Sequence, residues 1–205
     1  MLILVTMRTA PSTTYVEMRD AISYDWSTLF AVYGFVPVLV PNATQDVRPY
    51  LALGARGLLL TGGDDLGSED APTARDRCEA ELVSAALAGR LPIFGVCRGL
   101  QVLNRHFGGA VARSLPETHV GDHDIELESG RITRVNSFHD CGVLRTGIAP
   151  DLGVLAATER GVVEGVRHRS LPVTAIQWHP ERGNPDRELD RLFLDDWKRQ
   201  CASSS

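Results

Sequence analysis

Short apolar runs separated by amphipathic stretches organise the first half of the chain. Leu2 to Val5 reads as the core of a buried strand spanning Met1 to Thr6, which breaks at Met7-Arg8-Thr9-Ala10-Pro11. From about Tyr15 to Tyr33 the positions Val16, Ala21, Ile22, Trp26, Leu29 and Phe30 recur three or four apart, predicting a helix stopped by Gly34. Strand character resumes over Phe35 to Val40 and again at Gly57 to Leu60, which ends abruptly in Thr61-Gly62-Gly63-Asp64-Asp65. A charged helix is expected from about Ala74 to Ala88, closed by Gly89, then a buried strand from Leu91 to Val96 and a helix from Gly99 to Phe107. Such alternation implies βαβ units and a mostly parallel sheet covered on both faces.

Beyond Gly121 the rhythm shortens. Asp124–Leu127, Arg131–Val135, Gly153–Ala157 and Val162–Val166 read as shorter, partly antiparallel strands. Val173 to Trp178 is a further strand, and Asp186 to Arg199 a closing helix. One α/β domain over residues 1–200 is expected, with a flexible tail at 201–205 that includes Cys201.

Composition narrows the class. The chain has 205 residues, 43% hydrophobic and 23% charged, which excludes disorder for its body. A formal net charge of -5 argues against nucleic acid or a membrane surface as partner. No apolar run approaches the roughly 18 residues that a membrane span needs, and the opening run is too short for a signal peptide. Cys78, Cys97, Cys141 and Cys201 form no C-x-x-C pair, so a cytoplasmic protein with reduced thiols is expected.

Three stretches carry candidate chemistry. In Gly95-Val96-Cys97-Arg98-Gly99 a buried strand turns into a helix, with glycine two residues on either side of a nucleophile. This is the elbow logic of G-x-S-x-G with sulfur in place of oxygen, and it sets a thiol at the positive end of a helix dipole. Gln177-Trp178-His179-Pro180-Glu181 ends another strand; His179 can pass a proton to and from a thiol if Glu181 orients it, and Pro180 fixes the turn between them. Leu60-Thr61-Gly62-Gly63-Asp64 is a Gly-Gly turn whose amides can face a ligand or an oxyanion. Taken singly, each also reads as something plainer: a buried strand-end cysteine, a solvated turn, an ordinary βα loop.

Taken in this order, the three motifs resemble the class I glutamine amidotransferase superfamily, and within it the γ-glutamyl hydrolase branch, a peptidase family that includes hydrolases of γ-glutamyl-γ-aminobutyrate. Arg75-Asp76, Val135-Asn136-Ser137-Phe138-His139 and Gly161 to Val166 extend the resemblance, which covers nearly the whole chain. It implies a flavodoxin-like class I glutaminase fold. It also implies Cys97 as nucleophile, His179 as general acid and base, Glu181 as its orienter, and the Gly63 and Arg98 amides as oxyanion hole. Gly62, Gln101 and the Asn136-Ser137-Phe138-His139 backbone would meet the glutamyl group. No cofactor or metal is implied.

The implied reaction is hydrolysis of a γ-glutamyl amide through a Cys97 thioester. A glutaminase subunit feeding a separate synthetase, a hydrolase of nucleotide-linked γ-glutamyl phosphoramidates, and a non-catalytic thiol sensor are the alternatives. Whether the chain forms a homodimer is left open, and a synthetase partner is not favoured. Three departures from the branch put the leaving-group pocket in question. Asp65-Leu66-Gly67-Ser68 lacks the usual proline and tyrosine, Asp140 replaces a second histidine, and the chain is short. Arg8, following the first strand, is expected near the ligand edge and, with Arg19, is a candidate for an anionic leaving group; a solvated arginine is the plainer reading. His119 and His123 have H-x-x-x-H spacing, but Gly121 favours a loop at the pocket rim over a metal site.

Overall fold

The computed structural model describes residues 1–115 and 120–204. In chain order its elements are β1 (Leu2–Thr6), β2 (Arg8–Pro11), β3 (Met18–Ala21), α1 (Tyr24–Tyr33), β4 (Val36–Val40), α2 (Arg48–Leu51), β5 (Leu58–Leu60) and α3 (Ala74–Ala88). There follow β6 (Ile93–Val96), α4 (Arg98–His106), β7 (His123–Leu127), β8 (Ile132–Val135), β9 (Val143–Leu144), β10 (Leu152–Ala157), β11 (Val162–His168), β12 (Val173–Ile176) and α5 (Arg187–Ser203).

Among the described residues ten strands form one sheet, ordered β4-β1-β5-β6-β12-β11-β10-β7-β8, with β9 pairing off β11. From β4 to β12 the pairing is parallel; from β12 to β8 it is antiparallel. The sequence change after Gly121 is therefore a change of strand direction within one sheet.

Alternation along the central strands sends side chains into two cores. Leu4, Leu58, Leu60, Ile93 and Ala175 face one side, where Leu82 and Val83 of α3 and Leu100 and Leu103 of α4 cover them. Ile3, Val5, Leu59, Phe94 and Ile176 face the other, against Trp26 and Phe30 of α1 and Phe193 and Trp197 of α5. Trp197 lies 5.0 Å from Phe35 and 5.5 Å from Phe94, ring centroid to centroid. Helices thus cover both faces.

Two expectations need correction. The helix expected from Tyr15 begins only at Tyr24, where Ser23 caps it by accepting from the Asp25 amide. The residues before it form β3, paired with β2 in a hairpin. The Asp20 carboxylate accepts from the Asn42 backbone at 2.9 Å and side chain at 2.6 Å, so tertiary contacts override the local helical period. The expected tail at 201–205 also differs, because α5 runs on to Ser203 and Cys201 is fully buried. A Cβ on Gly57 would stand 2.5 Å from the Cys201 sulfur, and burial pushes that thiol up to about 12.

Candidate active site

Parallel pairing of β5, β6 and β12 lines up three strand ends. Leu60 pairs with Gly95, and Ile176 with Val96, so Gly62, Cys97 and Gln177 arrive side by side at the carboxyl edge. Open α/β sheets bind ligands along this edge. Cys97 sits between β6 and α4 at φ 54° and ψ -105°, a positive-φ conformation unusual for a side-chain-bearing residue. Its amide donates to Ile176 O at 2.8 Å, which anchors the bend to β12. The bend is tight because α4 lies almost on the sheet: a Cβ on Gly99 would be 2.5 Å from Leu60 O, and one on Gly95 would be 2.8 Å from the Gly99 carbonyl carbon.

His179 and Glu181 meet Cys97 from the end of β12. His179 Nδ1 lies 2.6 Å from Glu181 Oε1, and both side chains are buried. Burial alone would pull the His179 ring down. Hydrogen bonds to Cys97 and to Glu181 outweigh it and raise the ring from 6.5 to about 9. Gly62 fits between the two groups, since a Cβ there would be 2.8 Å from His179 Cε1 and 3.3 Å from Cys97 Cβ. Cys97, His179, Glu181 and Gly62 therefore share one crevice.

The remaining expected residues divide. Among the described residues, the Gly63 and Arg98 amides, at the β5 loop and the α4 N-terminus, have no protein acceptor. Gln101 is buried, with Nε2 donating to Cys141 O at 3.1 Å, and borders a cavity of about 380 Å³ shared with Asp65, Arg105, Arg113 and Cys141. Phe138 is half exposed, with its ring edge-on to His179 at 5.6 Å. Ser137 and His139 are buried, and His139 Nδ1 lies 3.0 Å from Cys141 O.

Arg8 lines a narrow cleft with Gly62, Gly63 and His179, as its position after β1 suggested. Arg19 does not join it; it binds Glu17 at 2.7 Å. His119 lies outside the described residues, whereas His123 opens β7, rather than a rim loop, and stands 3.4 Å from the buried Glu164.

Three further contributions lie outside the roles that the motifs imply. The Asn136 side chain accepts from the His179 amide at 2.8 Å and donates to His179 O at 2.9 Å, so it holds the imidazole-bearing backbone directly. Gln177 Nε2 donates to the Cys97 sulfur at 3.8 Å; this residue stood in the quoted motif without a role. Arg182, one residue past the motif, lies over the Phe138 ring at 4.4 Å and lines the same cleft as Arg8.

This fold and crevice define a hydrolase of the glutamine amidotransferase type. Residues 3–181 match the peptidase C26 family model, and the chain belongs to that family. It is 28% identical over 191 residues to the γ-glutamyl-CDP-amidate hydrolase of Campylobacter jejuni (subsp. jejuni serotype O:2), covering 90% of this chain and 92% of that one. It is likewise 28% identical over 192 residues to the γ-glutamyl-γ-aminobutyrate hydrolase of Escherichia coli O157:H7, covering 80% of this chain and 71% of that protein. The crystal structure of a glutamine amidotransferase from Thermotoga maritima superposes with a TM-score of 0.69 at 16% identity, covering 98% of this chain and 84% of that one, and shows the shared fold.

Proposed function

We propose that the protein hydrolyses a γ-glutamyl amide through a γ-glutamyl thioester on Cys97. The observation that carries this reading is the Glu181–His179 hydrogen bond at 2.6 Å behind a thiol held at a strand–helix elbow. With its proton passed to His179, the Cys97 sulfur forms a bond to the γ-carbonyl carbon, and the Gly63 and Arg98 amides receive the oxyanion. Held charged near neutral pH, His179 is armed to give its proton to the departing amine as the C–N bond breaks. It then takes a proton from water, which attacks the thioester; glutamate leaves and the thiol is restored. Gln101 and the 136–139 segment would hold the glutamyl end. The four free cysteines support a reducing compartment, the cytoplasm.

One observation favours a particular leaving group. Arg8 and Arg182 border the cleft on the His179 side, so an amine carrying phosphate fits there better than a neutral one. The Campylobacter relative, named for a nucleotide amidate substrate, supports the same choice. The test is to incubate the protein with γ-glutamyl amines and a γ-glutamyl phosphoramidate and assay glutamate. Release by wild type and none by Cys97→Ala is expected; no release from any of them refutes hydrolysis.

A further inference from the structure

Helix α3 carries a buried charge chain that the reaction above does not use. Arg75 is fully buried; its Nε donates to Glu79 Oε1 and its Nη1 to Asp64 Oδ2, each at 2.9 Å. Its remaining nitrogen, Nη2, turns away from the carboxylates to three oxygens of the β5 loop: Thr61 O at 2.8 Å, Gly62 O at 3.1 Å and Thr61 Oγ1 at 3.2 Å. The last oxygen of Glu79 binds the buried Arg98 side chain, which also donates to Asp76 Oδ1 at 2.6 Å.

The Gly62 carbonyl and the Gly63 N–H belong to one peptide unit. No peptide bond among the described residues is cis, so the two point in opposite directions. Holding the carbonyl toward Arg75 of α3 therefore aims the N–H away from α3, in the loop where Gly62 abuts Cys97 and His179. Gly63 at φ +103° has the freedom to flip this unit, because no Cβ opposes rotation there. Something must hold it.

We infer that Arg75 is a positioning residue that fixes the Gly62–Gly63 peptide with its N–H toward the developing oxyanion, and that Glu79 ties this brace to Arg98, whose amide is the second donor. This rests on the thioester reading, since only a tetrahedral intermediate needs that N–H. Arg75 touches no substrate. Its guanidinium spans two carboxylates and the loop carbonyls at once, which the single ammonium of a lysine cannot do.

The experiment separates chemistry from scaffolding. Hydrolysis of a chromogenic γ-glutamyl anilide is measured for wild type, Cys97→Ala, Arg75→Met and Arg75→Lys, alongside alkylation of Cys97 by iodoacetamide. Alkylation displaces iodide at a saturated carbon and passes through no oxyanion. The expected result for Arg75→Lys, which keeps charge opposite Glu79 and Asp64 and so guards against misfolding, is a kcat loss on the order of 10²-fold. Its KM and alkylation rate should stay within about twofold of wild type, and Arg75→Met should lose at least as much kcat. An unchanged kcat in Arg75→Lys overturns the inference, as does a parallel fall of kcat and alkylation. Wild type no more active than Cys97→Ala refutes the thioester reading itself, a separate result.

Discussion

His179 and Glu181 are two residues apart on one turn, and their side chains meet at 2.6 Å with Pro180 between them. Proline limits the backbone of that turn, so the contact needs little further ordering. Burial opposes the charged ring, but the hydrogen bond to Cys97 and this contact with Glu181 together raise the histidine to about 9.

That elevation makes stability depend on pH with a definite sign. A histidine whose folded pKa lies above its unfolded value stabilises fully below about 6.5, and the contribution is lost as pH rises through 9. Glu181→Gln removes one of the two partners that raise the ring. The stability gap between wild type and Glu181→Gln should be largest near pH 6 and shrink by about 1–3 kcal/mol toward pH 10. Urea unfolding at both pH values measures it; a gap that is constant or widens with pH contradicts the assignment.

Gly99→Ala tests how closely α4 must lie on the sheet. The new methyl would stand 2.5 Å from a backbone oxygen of β5, which has no rotamer with which to move aside. Helix and strand must separate, at a cost of about 1–3 kcal/mol. Because Cys97 is the residue between β6 and α4, γ-glutamyl amide turnover should fall in the folded variant as well. Thermal unfolding with wild-type stability would show that the contact relaxes freely.

What could be seen in the sequence was what local chemistry dictates. The Gly95 to Gly99 elbow and the His179-Pro180-Glu181 turn are short segments whose own residues impose the geometry, and Gly34 ends α1 in the left-handed conformation its type allows. What could not be seen depends on distant partners. β3 lies within the helical apolar period that runs from Tyr15, and only Asp20 meeting Asn42 shows why it is extended. Cys201 sits in a stretch ending Ala-Ser-Ser-Ser, yet it is buried against Gly57. Asn136 stood in a recognised motif, but its hold on His179 spans 43 residues and leaves no local pattern.

That hold is itself testable. Asn136→Ala removes the acceptor of the His179 amide and one of two donors to the His179 carbonyl, which keeps the Arg182 amide at 3.2 Å, so a buried N–H is left unpaired. That costs about 1–3 kcal/mol. Loosening the imidazole should also lower kcat by roughly 10–100-fold, since misplacement of about an ångström has that scale of effect. Calorimetry and steady-state kinetics on the same sample check both. Loss of stability with wild-type kcat would confine Asn136 to the scaffold.

The leaving-group side offers the sharpest substrate test. Arg8 comes from β2 and Arg182 from the turn after β12, and both border one cleft beside Gly62 and His179. Arg182 is only 31% exposed, rests on Phe138 and stands 3.7 Å from Glu181, so its guanidinium is partly placed before any ligand arrives. Two such groups should favour a phosphate-bearing amine over a neutral one, and salt should weaken that preference. Replacing Arg8 with Ala should raise KM for a γ-glutamyl phosphoramidate roughly tenfold, about one charge-assisted hydrogen bond, and leave a neutral γ-glutamyl amine within about twofold. Arg182→Ala should act in the same direction, with a smaller loss on the neutral substrate because Glu181 also feels its charge. Equal losses on both substrates would show that the two arginines support the turn and do not read the leaving group.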